Sequence, residues 1–119
     1  MQFVIDNDII LRAGAEKDIF YYDYESCSLK DSKPDTWSVQ FVNIPVTKVM
    51  REFIISLNDR QMLFRFRDID DERLRSYFWV WFDDDGVNSS HWAEFRDKYY
   101  LDAVKKWCMD NGISYRTEI

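Results

Sequence analysis

The sequence contains few residues that break regular secondary structure. Its 119 residues include only three glycines and two prolines, whereas 46% of them are apolar and 18% are aromatic. Chains that remain disordered are poor in aromatic residues, so this composition excludes disorder for most of the chain. At this length we expect one domain, which removes about two-thirds of its unfolded surface from water and needs no disulfide to fold.

Cysteine is also scarce, and long apolar runs are absent. Cys27 and Cys108 form neither a CxxC pair nor any other metal-binding spacing. No apolar run approaches the roughly 20 residues that span a bilayer, and the first residues lack the basic region and apolar stretch of an export signal. We therefore expect a soluble, reduced, cytoplasmic protein that does not bind membranes.

The residues for enzyme chemistry are nearly missing. The single histidine, His91, is the only partner for a nucleophilic Cys–His pair. Cys108 lies 17 residues further along one predicted helix, which separates the two by roughly 25 Å, and Cys27 is in a predicted loop. No Gly-rich phosphate loop, Ser-His-Asp order or HExxH motif is present. The sequence predicts a protein that is not an enzyme and has no cofactor.

Acidic clusters invite comparison with metal sites. The run Asp83-Asp84-Asp85-Gly86 superficially resembles a calcium loop, but an EF-hand needs alternating carboxylates before the glycine and a glutamate six residues after it. Trp81 and Trp92 occupy two of those acidic positions. A second cluster, Asp68, Asp70 and Asp71, has no further defined ligands. We interpret both clusters as solvated turns and predict no metal site.

The formal charge of −6 is unevenly distributed along the chain. Residues 1–36 carry −4, residues 37–82 carry +1 and residues 83–119 carry −3. Net acidity disfavours non-specific binding to phosphate backbones. The argument against nucleic-acid binding is weaker for the near-neutral middle segment, 37–82, because its arginines lie on two predicted strands.

The first 35 residues are predicted to form a β-rich extension followed by a loop. Short apolar runs at 3–5 and 9–11 and the stretch 19–24 favour strands, and Gly14 suits a turn between them. Residues 26–35 are rich in turn-forming residues and mark the clearest internal boundary. We therefore divide a single domain into an extension, 1–35, and a core, 36–119.

The core alternates between periods typical of strands and of helices. Period-two stretches predict strands, and apolar residues at helical spacing predict helices. The predicted order is strand 37–42, helix 46–57, strand 62–67, strand 75–82, helix 89–110 and strand 113–117. This βαββαβ order predicts a ferredoxin-like α+β sandwich, a four-stranded antiparallel sheet with both helices on one face. Residues 75–82, apolar on both sides, suit a central strand.

Residues 75–82, RSYFWVWF, also carry a motif. They resemble the ribonucleoprotein octamer of RNA-recognition motif domains, which lies on the third strand of that fold. Arg75, Tyr77, Trp79, Val80 and Phe82 agree with the pattern, whereas Ser76 and Phe78 replace small residues. Residues 39–45 are similar to the end of the family's first strand, although Gln40 stands where a stacking aromatic is usual. The resemblance covers residues 37–118 and implies binding of single-stranded RNA or protein on the sheet face.

On such a sheet, period two assigns Phe78, Val80 and Phe82 to the core. On the neighbouring strand, 62–67, it places Phe64 and Phe66 toward the core and Leu63, Arg65 and Arg67 on the other face. The opposite, open face then carries Tyr77, Trp79 and Trp81, with Arg65 and Arg67 beside them, Arg75 placed to meet a phosphate, and Gln40. Aromatic rings flanked by guanidinium groups stack on bases and also dominate protein interfaces. Our first hypothesis is a binding module that uses this face for a protein partner, in a hetero- or homo-oligomer, or for single-stranded RNA. The N-terminal segment could also cover the face.

A second hypothesis uses the carboxylates instead. A small acidic inhibitor, such as a toxin-immunity or phage-encoded anti-defence protein, would steer a basic target with acidic loops. The candidate surface is Asp68, Asp70, Asp71, Glu72, Asp83, Asp84 and Asp85.

Overall fold

The computed structural model describes residues 2–82 and 86–119, with side chains throughout these ranges except at 81–82 and 86–89. Within them the chain is α+β. Its strands are β1 (Phe3–Asp6), β2 (Tyr21–Asp23), β3 (Ser28–Lys30), β4 (Ser38–Gln40) and β5 (Tyr115–Glu118). Its helices are α1 (Asn7–Ala13), α2 (Val46–Ser56), α3 (Arg60–Phe66), α4 (Asp71–Phe82) and α5 (Gly86–Asp110).

The predicted ferredoxin-like sandwich is wrong. The described strands form a parallel pair, β1 with β5, and a three-stranded antiparallel sheet in the order β3-β2-β4. Two segments predicted to be strands, 62–67 and 75–82, lie instead on α3 and α4. In the described ranges the chain therefore has five helices and two small sheets, not a four-stranded sheet with two helices on one face.

Helix α3 forms because its first turn is capped. The Asp59 carboxylate accepts hydrogen bonds from the backbone N–H groups of Gln61 (3.0 Å) and Met62 (3.3 Å), which satisfies donors that every helix start leaves open. The alternating pattern placed Phe64 and Phe66 together in the core. On the helix only Phe66 is buried, and Phe64 is 77% exposed. The prediction for Phe64 is therefore wrong.

Helix α4 begins in the same way. The Asp70 carboxylate accepts from the backbone N–H of Arg73 at 2.8 Å, and Asp71 and Glu72 place negative charge in the first turn, where the helix dipole favours it. Leu74 and Phe78, four residues apart, are fully buried. A short apolar run of this kind fits a buried strand or a buried helix face equally well, and the caps favour the helix.

The elements outside α3 and α4 agree better with the sequence pattern. The structure confirms α2, most of α5 and the strands at β1, β2, β4 and β5, of which β2, β4 and β5 are shorter than predicted. Two further predictions are wrong. Residues 9–11 lie in α1, which Asp6 caps by accepting from the Ile9 N–H at 2.9 Å, and the predicted loop 26–35 contains β3.

One compact unit comprises Met1–Pro45 with Tyr100–Ile119. Its core is aromatic: the Phe3 ring lies 5.3 Å from Tyr22 and 6.4 Å from Phe41, centroid to centroid. Trp107 packs edge-on against Phe41 at 4.9 Å and donates its indole N–H to the Gln40 carbonyl oxygen at 3.0 Å. These contacts join the two sheets of this unit to the last turns of α5.

The other compact unit is Val46–Tyr99, which holds α2, α3, α4 and the first part of α5. The rings of Phe53, Phe78 and Trp92 form its core, with centroids 4.8–6.2 Å apart. All three side chains are at least 98% buried. The division at residue 35 that composition suggested stays a prediction.

Candidate functional site

A concave apolar surface in the second unit lies between α2 and α3. This α2–α3 groove has a volume of about 320 Å³. Its walls are contributed at positions i, i+3 and i+4 of each helix, a spacing that places three side chains on one helix face. The lining residues are Arg51, Ile54 and Ile55 from α2, and Leu63, Phe66 and Arg67 from α3 and its C-terminus.

Apolar surface continues beyond the groove. Ile55, in the groove wall, is 58% exposed, and Phe64, which follows the lining residue Leu63 on α3, is 77% exposed. The Arg67 guanidinium lies 6.0 Å from the centroid of the Phe64 ring, so the ring adjoins the groove through Arg67. Exposed apolar side chains around a concavity are typical of interaction sites.

Arg51, in the groove wall, connects α2 to the segment between α3 and α4 by hydrogen bonds. Its Nη2 donates to the Ile69 carbonyl oxygen and to Asp71 Oδ1, both at 2.8 Å, and its Nη1 donates to the Phe66 carbonyl oxygen at 3.5 Å. The hydrogen bond and charge of Arg51 hold the pKa of Asp71 below its usual value near 3.8. One side chain therefore ties α2 to the end of α3 and to the start of α4.

The predicted acidic surface is largely engaged in contacts of its own. Asp71 pairs with Arg51, Asp68 pairs with Arg67 at 3.3 Å, and Asp70 caps α4. Asp70 also lies 3.9 Å from Arg73. The remaining described member, Glu72, is exposed, and Asp83, Asp84 and Asp85 lie outside the described residues. These contacts reduce the negative potential that the cluster offers to a basic target.

The predicted aromatic face is not assembled by α4. Residues two apart on an α-helix point about 200° away from each other, so Tyr77 and Trp79 lie on different sides. They are 51% and 42% exposed, respectively, and the Trp79 ring packs against Phe78 and Trp92. Val80, predicted to be in the core, is 65% exposed. The side chains of Trp81 and Phe82 lie outside the described residues.

The other residues of the predicted face are distributed over several elements. Arg65 is on α3, Arg67 follows that helix, and Arg75 is on α4. All three are exposed. Gln40 is on β4 in the first unit, where its carbonyl oxygen accepts the Trp107 indole N–H. Of this set, only Arg67 lines the α2–α3 groove.

The cysteines lie in the first unit. Cys108 is fully buried, and burial raises its pKa to about 11, the opposite of what a nucleophilic thiolate needs. Cys27 is half-buried, and its Sγ lies 3.7 Å from the Tyr24 carbonyl oxygen. His91 is exposed on the part of α5 that belongs to the second unit. In ranges 2–82 and 86–119, no cluster of three or more His, Cys, Asp or Glu residues could hold a metal ion.

Asp23 is a buried carboxylate that the pattern did not single out. It accepts hydrogen bonds from the Thr36 hydroxyl (2.8 Å), the Glu25 N–H (3.0 Å) and the Ser26 hydroxyl (3.1 Å). The Thr36 hydrogen bond is the main cause of its lowered pKa. Its oxygens are thus engaged in holding the β2–β3 turn, as aspartates at turns commonly do, and its role is structural.

The groove residues Ile54, Ile55, Leu63 and Phe66 were also not predicted to form a site. Their signal in the sequence is weak: Ile55 is an apolar residue just outside the core-facing stripe of α2, and Leu63 was assigned to the outer face of a strand. Recognising the groove requires α3 to be a helix.

Comparison of the chain with protein-family models, with curated proteins and with solved structures finds no match in any of the three. In the part of the chain that the structure describes, no helix combines the length and apolar character needed to cross a bilayer.

Proposed function

We propose that this chain is a non-enzymatic binding module that receives an apolar segment of a partner protein in the α2–α3 groove. The observation that carries this proposal is the groove itself, an apolar concavity with Ile55 more than half exposed in its wall. Burial of exposed apolar surface is the main driving force for protein association.

A protein segment fits this surface better than a small molecule does. A compact ligand inside the groove would leave Phe64 uncovered on the far side of Arg67. An amphipathic segment can fill the groove with one side chain and cover Phe64 with the next, the common mode of recognition between a groove and a helix. Arg51 holds the groove in place before binding, which lowers the entropic cost of association.

RNA binding, the other outcome implied by the resemblance to RNA-recognition motifs, has less support. It relied on neighbouring stacking rings on a sheet, whereas Tyr77 and Trp79 lie on different sides of a helix. The formal charge of −6 also opposes binding to a phosphate backbone.

The acidic-inhibitor hypothesis ranks lower for a similar reason. Its described carboxylates Asp68, Asp70 and Asp71 pair with arginines of the same chain, which leaves less charge to steer a basic target.

The experiment is a capture comparison from the cell that makes this protein, using wild type, Ile55→Asp and Leu11→Asp, with and without RNase. Leu11 is the matched control, because it is 75% exposed on α1 in the other unit. We expect a protein that resists RNase and is retained by wild type and Leu11→Asp but lost from Ile55→Asp. Capture that Ile55→Asp leaves unchanged would contradict the groove proposal, and capture that RNase abolishes would favour RNA.

A further inference from the structure

The α2–α3 segment differs in charge from the rest of the protein. Residues 46–67 contain five Lys and Arg residues against two Asp and Glu, a formal charge of +3. The remaining residues, with 11 bases and 20 acids, carry −9. The groove residues therefore lie in a basic segment, which four acidic residues, Asp68, Asp70, Asp71 and Glu72, follow directly.

The basic residues follow the edges of the groove. On α2, Lys48 precedes the groove residue Ile55 by seven positions, two helical turns, and so lies on the same helix face. On α3, Arg60 precedes Leu63 by three positions. Lys48 and Arg60 are both exposed. The two cations in the lining are already in ion pairs, Arg51 with Asp71 and Arg67 with Asp68, so Lys48 and Arg60 are the edge cations outside these pairs.

In the described part of the chain, neither acidic residue of the same segment, Glu52 or Asp59, forms an ion pair with Lys48 or Arg60. The Asp59 carboxylate is turned toward the N–H groups that begin α3, and Glu52 is exposed on α2. The Arg67–Asp68 pair joins chain neighbours that are 69% and 81% exposed, a kind of ion pair that contributes little and exchanges readily.

We infer that the segment occupying the α2–α3 groove is acidic and amphipathic, with apolar residues three or four positions apart and Asp or Glu beside them. Apolar side chains enter the groove at Ile54, Ile55 and Leu63, while the carboxylates meet the cations along its edges. This inference rests on the proposed function and adds the chemistry of the partner. Charge complementarity of this kind sets specificity and speeds association more than it raises affinity.

The test is a selection from a displayed library of random 12-residue peptides on the full chain. Enriched peptides are then titrated, by fluorescence anisotropy, against wild type, Ile55→Asp, and the double variant Lys48→Glu/Arg60→Glu. The control, Lys17→Glu/Lys33→Glu, makes the same charge change at exposed lysines of the other unit. Far-UV circular dichroism checks folding, and Ile55→Ser replaces Ile55→Asp if the latter unfolds.

We expect enriched peptides with the acidic, amphipathic pattern, weakened by about tenfold or more in Ile55→Asp. The double variant should lower the affinity of these peptides more than its control does, chiefly by slowing association. Enriched peptides that depend on Ile55 but lack acidic residues, or that ignore the charge reversal at 48 and 60, would overturn the inference and leave the proposed function standing. Peptides that bind Ile55→Asp as tightly as wild type, or no enrichment at all, would overturn both.

Discussion

Replacement of Arg51 by methionine removes the side chain that links α2 to the connection between α3 and α4. Methionine keeps most of the aliphatic volume but loses the 2.8 Å hydrogen bonds to the Ile69 carbonyl oxygen and to Asp71, together with the longer one to Phe66. At about 1 kcal/mol net for each of the two short bonds, the free energy of unfolding should fall by about 2 kcal/mol. Urea unfolding followed by far-UV circular dichroism measures this change.

Two further variants separate the contributions. Asp71 is 64% exposed in its side chain, so Asp71→Asn, which removes only the ion pair, should cost less than about 1 kcal/mol. Arg73→Met is the matched control: Arg73 is 73% exposed and lies 3.9 Å from Asp70, and its loss should cost less than about 0.5 kcal/mol.

The dependence on pH gives a second readout. Because Arg51 lowers the pKa of Asp71 in the folded state below 3.8, the ion pair stabilises the protein above that pH, and its contribution is lost as the pH falls through the folded-state pKa. The stability gap between wild type and Arg51→Met should therefore stay constant near neutral pH and narrow as the pH falls below about 5, through the lowered folded-state pKa of Asp71. An Arg51→Met variant as stable as Arg73→Met, or a gap that widens in acid, would refute the role given to Arg51.

Three further predictions concern the helices and the thiols. Phe78→Ala, which empties a fully buried position on α4, should lower the unfolding free energy by about 3–5 kcal/mol in urea titrations. Val80→Ser should change the same free energy by less than about 0.5 kcal/mol. A large loss of stability in Val80→Ser would support the strand prediction instead. Asp70→Ala, which removes the α4 cap, should cost about 1 kcal/mol in the same assay, and no loss would show that the cap is dispensable. In the native protein iodoacetamide should modify the half-buried Cys27 well before the buried Cys108, as measured by intact mass and peptide mapping; equal rates would contradict the burial of Cys108.

The sequence predicted the longer periodic elements of this fold well. Helix α2 has an apolar stripe over three turns, and the helix predicted at 89–110 covers most of the 25 residues of α5. Such lengths leave little ambiguity between a helix and a strand.

The misassigned elements were the shorter apolar segments on α3 and α4, whose pattern fits both states. Their helix starts were nonetheless present in the sequence as Asp59 and Asp70, each followed by helical residues that its carboxylate caps. Giving these caps more weight than the alternation at 62–67 would have predicted both helices.

The tertiary features were beyond local patterns. Strands β1 and β5 pair in parallel, with Phe3 opposite Tyr115, and nothing within either strand indicates a partner so distant in the chain. The candidate site likewise depends on tertiary structure that no local sequence pattern indicates. The aromatic face required a sheet at 75–82, and the α2–α3 groove became visible only once α3 was a helix packed beside α2.

The most direct test of the groove as the binding surface is a titration of the ¹⁵N-labelled protein with an enriched peptide, followed by ¹H–¹⁵N correlation spectra. We expect the largest shift changes to fall on α2 and α3, around Ile55 and Leu63, and Ile55→Asp to abolish them. Changes centred on Tyr77 and Trp79 of α4, or on residues of the other unit, with α2 and α3 unaffected, would contradict this expectation.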